Sequence, residues 1–291
     1  MPKAMGSLLI FISTATVLSG RDPVRWRRAL AHPARVSAVL LALLCIMAWA
    51  WVLSGAGTGM AISGGLWPRG ATSSAMGATT MSGGPLRFVI LFAMWWVMMA
   101  AMMLPAASPT ILLFDRVATQ APGRGKSEWT AAGLFLAGYL LLWGAFSLAI
   151  AALQSLLAQS GMMEPMTMAL TSSWLAGLLL FCAGIYQLTP AKNACLRQCR
   201  NPAVFLSRYY RPGRMGALRM GLIHGAICVG CCWLLMALLF VGGVMNVVWI
   251  ALLSVLVAFE RVSRFGNRIA AFVGICMIGL SVLVWGGAIS S

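Results

Sequence analysis

Long, nearly unbroken runs of apolar residues dominate the chain, separated by short stretches rich in arginine, glycine or proline. Seven runs are each near the ~20 residues that cross ~30 Å of hydrocarbon as a helix. They fall at about 36–54, 88–113, 129–158, 170–189, 218–240, 244–259 and 269–288. None shows the polar–apolar alternation of a barrel strand, so the pattern predicts an all-α, polytopic transmembrane bundle. The sixth run is short and the third long, which fits tilted or broken spans. Residues 55–84 are rich in Gly, Ser, Thr and Ala and read as a flexible loop. The chain divides into a basic amino-terminal segment, 1–35, and a helical domain, 36–291. It shows neither an internal repeat nor a soluble domain.

Composition supports this reading. Hydrophobic residues make up 61% of the 291 positions and charged residues 9%, too few charges to cover a soluble protein of this size. Nineteen of the 21 Lys and Arg residues fall on one side of a seven-span arrangement; only Arg69 and Arg87 fall on the other. Basic loops stay cytoplasmic, which puts the amino terminus and residues 190–217 inside, and residues 55–84, 159–169 and the carboxyl terminus outside. Residues 7–19 superficially resemble a signal peptide. Cleavage there would export the basic stretch 21–35, so they read as an interfacial helix. The net charge of +16 is then an orientation signal and an attraction to the lipid bilayer, and no nucleic acid is expected as a partner.

Sulfur is the candidate chemistry. Of eight cysteines, Cys228, Cys231 and Cys232 lie near the middle of the fifth run, "MGLIHGAICVGCCWLLM". With His224 at zero on a helical wheel, Cys228 falls at about 40°, Cys231 at about −20°, Met220 at about −40° and Cys232 at about 80°. One stripe thus carries an imidazole, thiols and a thioether, a donor set that suits copper(I) or zinc, the thioether favouring copper(I). Gly221, Gly225 and Gly230 would let a neighbouring helix come close. The second run holds "MWWVMMAAMMLPAASP". Met94, Met98 and Met102 make one stripe there, and Met99 and Met103 the next. Pro105 and Pro109 remove backbone donors and free carbonyls. In "LTPAKNACLRQCRNP", Cys195 and Cys199 would share a helical face, with Lys192, Arg197 and Arg200 favouring thiolate. Cys45, Cys182 and Cys276 read as apolar filler. Glu260 is expected to pair with a nearby arginine. Five acidic residues leave no room for a two-carboxylate mechanism or a hard-metal cage, and no hydrolase, P-loop or dinucleotide pattern occurs.

The stretches 94–109, 188–202 and 225–250, with Glu260 following, resemble a bacterial family of uncharacterised, predicted metal-binding integral membrane proteins. The resemblance spans the chain from about residue 85 and implies a bacterial inner-membrane location and metal binding. The expected function is binding of a soft metal for handling, transport or delivery to a metalloenzyme. Copper(I) is the leading ion and zinc the alternative. A metallochaperone or a membrane metalloenzyme would be the partner. The expected site is His224, Cys228, Cys231 and Cys232, then Met98 and Met102, with Cys195 and Cys199 as a cytoplasmic entry or exit pair. Two alternatives stand beside it. One, an enzymatic role, is a thiol-disulfide redox protein cycling Cys231 with Cys232, or the loop pair. The other is an assembly partner whose sulfur residues only pack.

Overall fold

A computed structural model describes residues 33–54, 85–119, 129–165 and 167–287. The expectations for residues 1–32 and for the loop 55–84 lie outside them. The described residues form ten helices in chain order: α1 (Pro33–Leu53), α2 (Pro85–Thr119), α3 (Trp129–Gln159), α4 (Ser173–Leu188), α5 (Pro190–Arg200), α6 (Pro202–Tyr209), α7 (Arg214–Ala237), α8 (Leu239–Gly242), α9 (Val247–Val262) and α10 (Gly266–Trp285). A helix stands at each of the seven apolar runs. Four of them are long and apolar enough to cross a membrane, and a fifth joins them if α4 and α5 count as one bent element. Large apolar side chains face outward, including Leu141, Leu148, Phe272, Ile275 and Val282.

The stretch after residue 189 is helical, where the sequence suggested a loop. Thr189 ends α4 with its own hydroxyl on the Tyr186 carbonyl, 2.7 Å, and then caps α5 by accepting from the Lys192 N–H, 3.3 Å. Pro190 occupies the first turn of α5, where its missing N–H costs nothing. The chain therefore bends by 65° and starts a new helix. α5 lies along α7.

Two close helix pairs build the bundle. α3 and α7 touch backbone to backbone. A Cβ at Gly138 would sit 2.3 Å from the Leu218 carbonyl oxygen, and one at Gly221 would sit 2.0 Å from that of Phe135. Gly225 faces Leu142 and the Tyr139 carbonyl, while Gly230 leaves room for the Cys195 sulfur rather than for a helix backbone. α4 and α10 meet reciprocally at Gly184 and Gly274.

The prolines of α2 are also accounted for. Pro105 leaves the Ala101 carbonyl without its helical donor. Trp49 Nε1 of α1 supplies one at 3.1 Å, and the Cys45 thiol lies 3.9 Å away. Pro109 frees the Pro105 carbonyl, which accepts from Ser108 Oγ at 2.8 Å. One freed carbonyl thus docks α1, and neither is left open for a ligand.

Candidate metal centre

The i, i+3, i+4 spacing of Cys228, Cys231 and Cys232 places three thiols within one turn of α7, all buried. An apolar interior offers thiols few acceptors, so Cys231 and Cys232 donate to the Cys228 carbonyl, at 3.2 and 3.0 Å. Other helices then close on the turn. From α3, the Tyr139 hydroxyl lies 3.1 Å from the Cys228 sulfur. From α2, the Met103 sulfur lies 3.8 Å from that of Cys232. From α5, Cys199 is buried and lies near Cys231.

The centre of the cluster is a cation. Arg261, near the end of α9, is buried, and its Nη2 lies 3.1 Å from the Cys228 sulfur, 3.1 Å from Cys231 and 3.4 Å from Cys232. The Cys228 carbonyl is 3.4 Å from the same nitrogen. A guanidinium taken out of water needs negative charge beside it, and the nearest groups that can supply it are these sulfurs. The adjacent carboxylate is engaged elsewhere. Glu260 takes Lys192 Nζ at 2.7 Å and Gln187 Nε2 at 2.9 Å, all within the protein interior. The expected arginine partner of Glu260 is thus a lysine, and the ion pair fastens α5 to α9.

That pairing also alters the reading of the loop cysteines. The Lys192 ammonium is hydrogen-bonded to Glu260 and not to Cys195 or Cys199. Burial pushes the Cys195 thiol up from its ordinary range, and the Cys231 sulfur adds to this. Cys195 is half-buried and Cys199 buried, so the two do share a face of α5, and it is the face turned to α7.

The remaining expected residues separate. His224 is buried in an aromatic box, its ring centre 5.0 Å from Phe205, 5.7 Å from Tyr139 and 5.9 Å from Phe135. Its Nδ1 has no hydrogen-bond partner. The Met220 sulfur accepts from the Arg211 N–H at 3.4 Å. Met98 and Met102 are buried in α2, but the sulfur that touches a thiol is that of Met103, from the neighbouring stripe. Cys182 and Cys276 are exposed on the bundle's outside. Among the described residues, no three His, Cys, Asp or Glu side chains stand in a ready-made metal-holding arrangement. Arg261 and Tyr139 escaped the sequence reading. For Arg261 the available cue was "FERVS", two opposite charges closing an apolar run.

The described residues thus form an all-helical bundle with apolar helices of membrane-crossing length and a cluster of buried thiols, sulfur being a soft donor. The chain belongs to the PpoB2 family, described as copper chaperones, whose model matches residues 92–284. Its role is therefore in copper handling. No curated protein and no solved structure matches the chain.

Proposed function

We propose that the protein is a bacterial inner-membrane copper(I) carrier that receives the ion on its cytoplasmic side and delivers it to a metalloenzyme. The observation that carries this is the convergence of the Cys228, Cys231 and Cys232 sulfurs on one buried point, with the Met103 sulfur beside Cys232, in a chain of the copper-chaperone family. Thiolate with thioether is a soft donor set suited to copper(I). The helices α1, α2, α3, α4, α7, α9 and α10 are the seven spans, with the amino terminus inside. Trp174 and Trp285, both exposed and 6.4 Å apart between ring centres, then lie together at the external membrane interface, where tryptophan collects.

Cys195, Cys199 and Cys231 form a graded path. The first sulfur is half-exposed, the second buried against the third, and the third is in the cluster. An ion moving along it would exchange one sulfur for the next, the proton of the thiol that takes the ion passing to the sulfur left behind. Met103 supplies a neutral thioether beside Cys232.

The test is copper stoichiometry of protein purified and loaded under reducing conditions. Cys228→Ser with Cys231→Ser should remove most of the bound copper, and Cys45→Ser with Cys276→Ser should change little. Equal retention in both pairs would show that the α7 cluster is not the site. The nearness of Cys199 to Cys231, on different helices, favours one second reading, a redox-active pair. Metal-free protein that forms a reducible Cys199–Cys231 disulfide on mild oxidation would support it.

A further inference from the structure

The guanidinium of Arg261 is bound in an unusual way. Arginine commonly meets a carboxylate with two parallel N–H bonds. Here Nε has no partner, and a single terminal nitrogen meets three sulfurs and a carbonyl at 3.1–3.4 Å. That nitrogen carries two hydrogens, so it cannot direct a bond at each of four acceptors. It occupies their focus as a charge. The adjacent carboxylate that could neutralise it is held by Lys192 and Gln187. The core therefore keeps a +1 cation at the point where the sulfurs converge.

We propose that Arg261 is a built-in surrogate cation: an incoming monovalent metal displaces its Nη2 from the Cys228–Cys231–Cys232 cluster, and its return helps to expel the metal. This rests on the copper(I) reading above and adds to it a basis for selecting charge and a means of release. The exchange balances with one sulfur as thiolate: the guanidinium takes one positive charge away, the metal brings one, and the two thiols that donate to the Cys228 carbonyl keep their protons. A divalent ion such as zinc would add a further positive charge to a site without a free carboxylate, so the site disfavours it. While the guanidinium is in place the sulfurs are closed to metal, and apparent affinity falls by the fraction of molecules in the open form.

The experiment compares wild type, Arg261→Gln and Arg261→Lys in detergent, with copper(I) partitioned against a chromogenic chelator and zinc measured separately. Arg261→Gln should hold copper(I) about tenfold more tightly or better, because no internal competitor remains. It should also surrender copper(I) to chelator more slowly and show a smaller copper-to-zinc preference. Arg261→Lys, which keeps the charge, should stay near wild type in that preference. Retention equal to or weaker than wild type in folded Arg261→Gln would overturn the proposal. A measurement on wild type needs no variant to fold. Phenylglyoxal labelling of Arg261, read by peptide mass spectrometry, should be low in metal-free protein and rise on copper(I) loading. Continued protection in loaded protein would overturn the displacement alone. Wild type that takes up no copper(I) at these cysteines would overturn the carrier reading as well.

Discussion

Replacing Glu260 by Gln tests whether the Lys192–Glu260 pair holds the cluster together. The two groups are 2.7 Å apart, with side-chain exposures of 0% and 2%. Glutamine keeps the shape and an oxygen that can accept from Lys192, so the change removes charge and little else. A buried ammonium is left uncompensated, and breaking a buried pair in this way costs about 3–5 kcal/mol. Removing both charges with Lys192→Met and Glu260→Met leaves no buried charge unpaired, only the Gln187 amide without its acceptor. Such replacements are typically neutral or stabilising by about 1–4 kcal/mol, so the double variant should be more stable than Glu260→Gln. Equilibrium unfolding in mixed micelles, followed by tryptophan fluorescence, gives the three free energies. Copper retention supplies a second readout, because the pair fixes α5, and with it Cys199, against α9. A Glu260→Gln protein within about 1 kcal/mol of wild type would refute the reasoning, since surface pairs have values of that size. So would a double variant no more stable than the single one.

Met103→Leu should weaken copper(I) retention measurably while costing under about 1.5 kcal/mol of stability, because volume is conserved and the thioether is lost. Met98→Leu with Met102→Leu, measured by the same chelator competition, should have the smaller effect. Gly221→Ala should destabilise the fold by about 1–3 kcal/mol or more, and thermal unfolding reads it, because the new methyl meets the Phe135 carbonyl at 2.0 Å. Trp49→Phe should cost about 1–3 kcal/mol by leaving the Ala101 carbonyl only the weak, distant Cys45 thiol, and protease sensitivity of α1 should rise. A cysteine placed in residues 55–84 should react with an impermeant thiol reagent in spheroplasts, and Ser207→Cys should not; reversed labelling would invert the proposed orientation.

The helices were legible because apolar runs of spanning length have one stable outcome away from water. The stripe of Cys228, Cys231 and Cys232 was legible because i, i+3, i+4 spacing is a local property. What joins that stripe was not. Whether Met102 or Met103 faces a thiol depends on the rotation of α2, and nothing in its continuous apolar pattern fixes a lipid side. Arg261 lies about thirty positions from the thiols, and only the packing of α9 brings it to them. Glu260 was assigned to an arginine because arginines are its neighbours in sequence. The 65° turn at Thr189 instead carries Lys192 to it. Even there a local cue existed, since Thr-Pro followed by polar residues is a helix start.

The backbone contact between α3 and α7 gives the cluster unequal walls. At Gly138 and Gly221 the two helices already touch, so α7 has no slack on that flank. Any widening needed to seat an ion must be taken up on the other side, by α5 and α9, which are held there by side chains. For an ion seated in the proposed cluster, the arrangement would act as a vice with one fixed jaw and one sliding jaw. Tyr139 rides on the fixed jaw, and Cys199 and Arg261 on the sliding one. Substitutions on α5 and α9 can therefore retune the gap for an ion of another size, while an added methyl at Gly138 or Gly221 would force the fixed jaw apart.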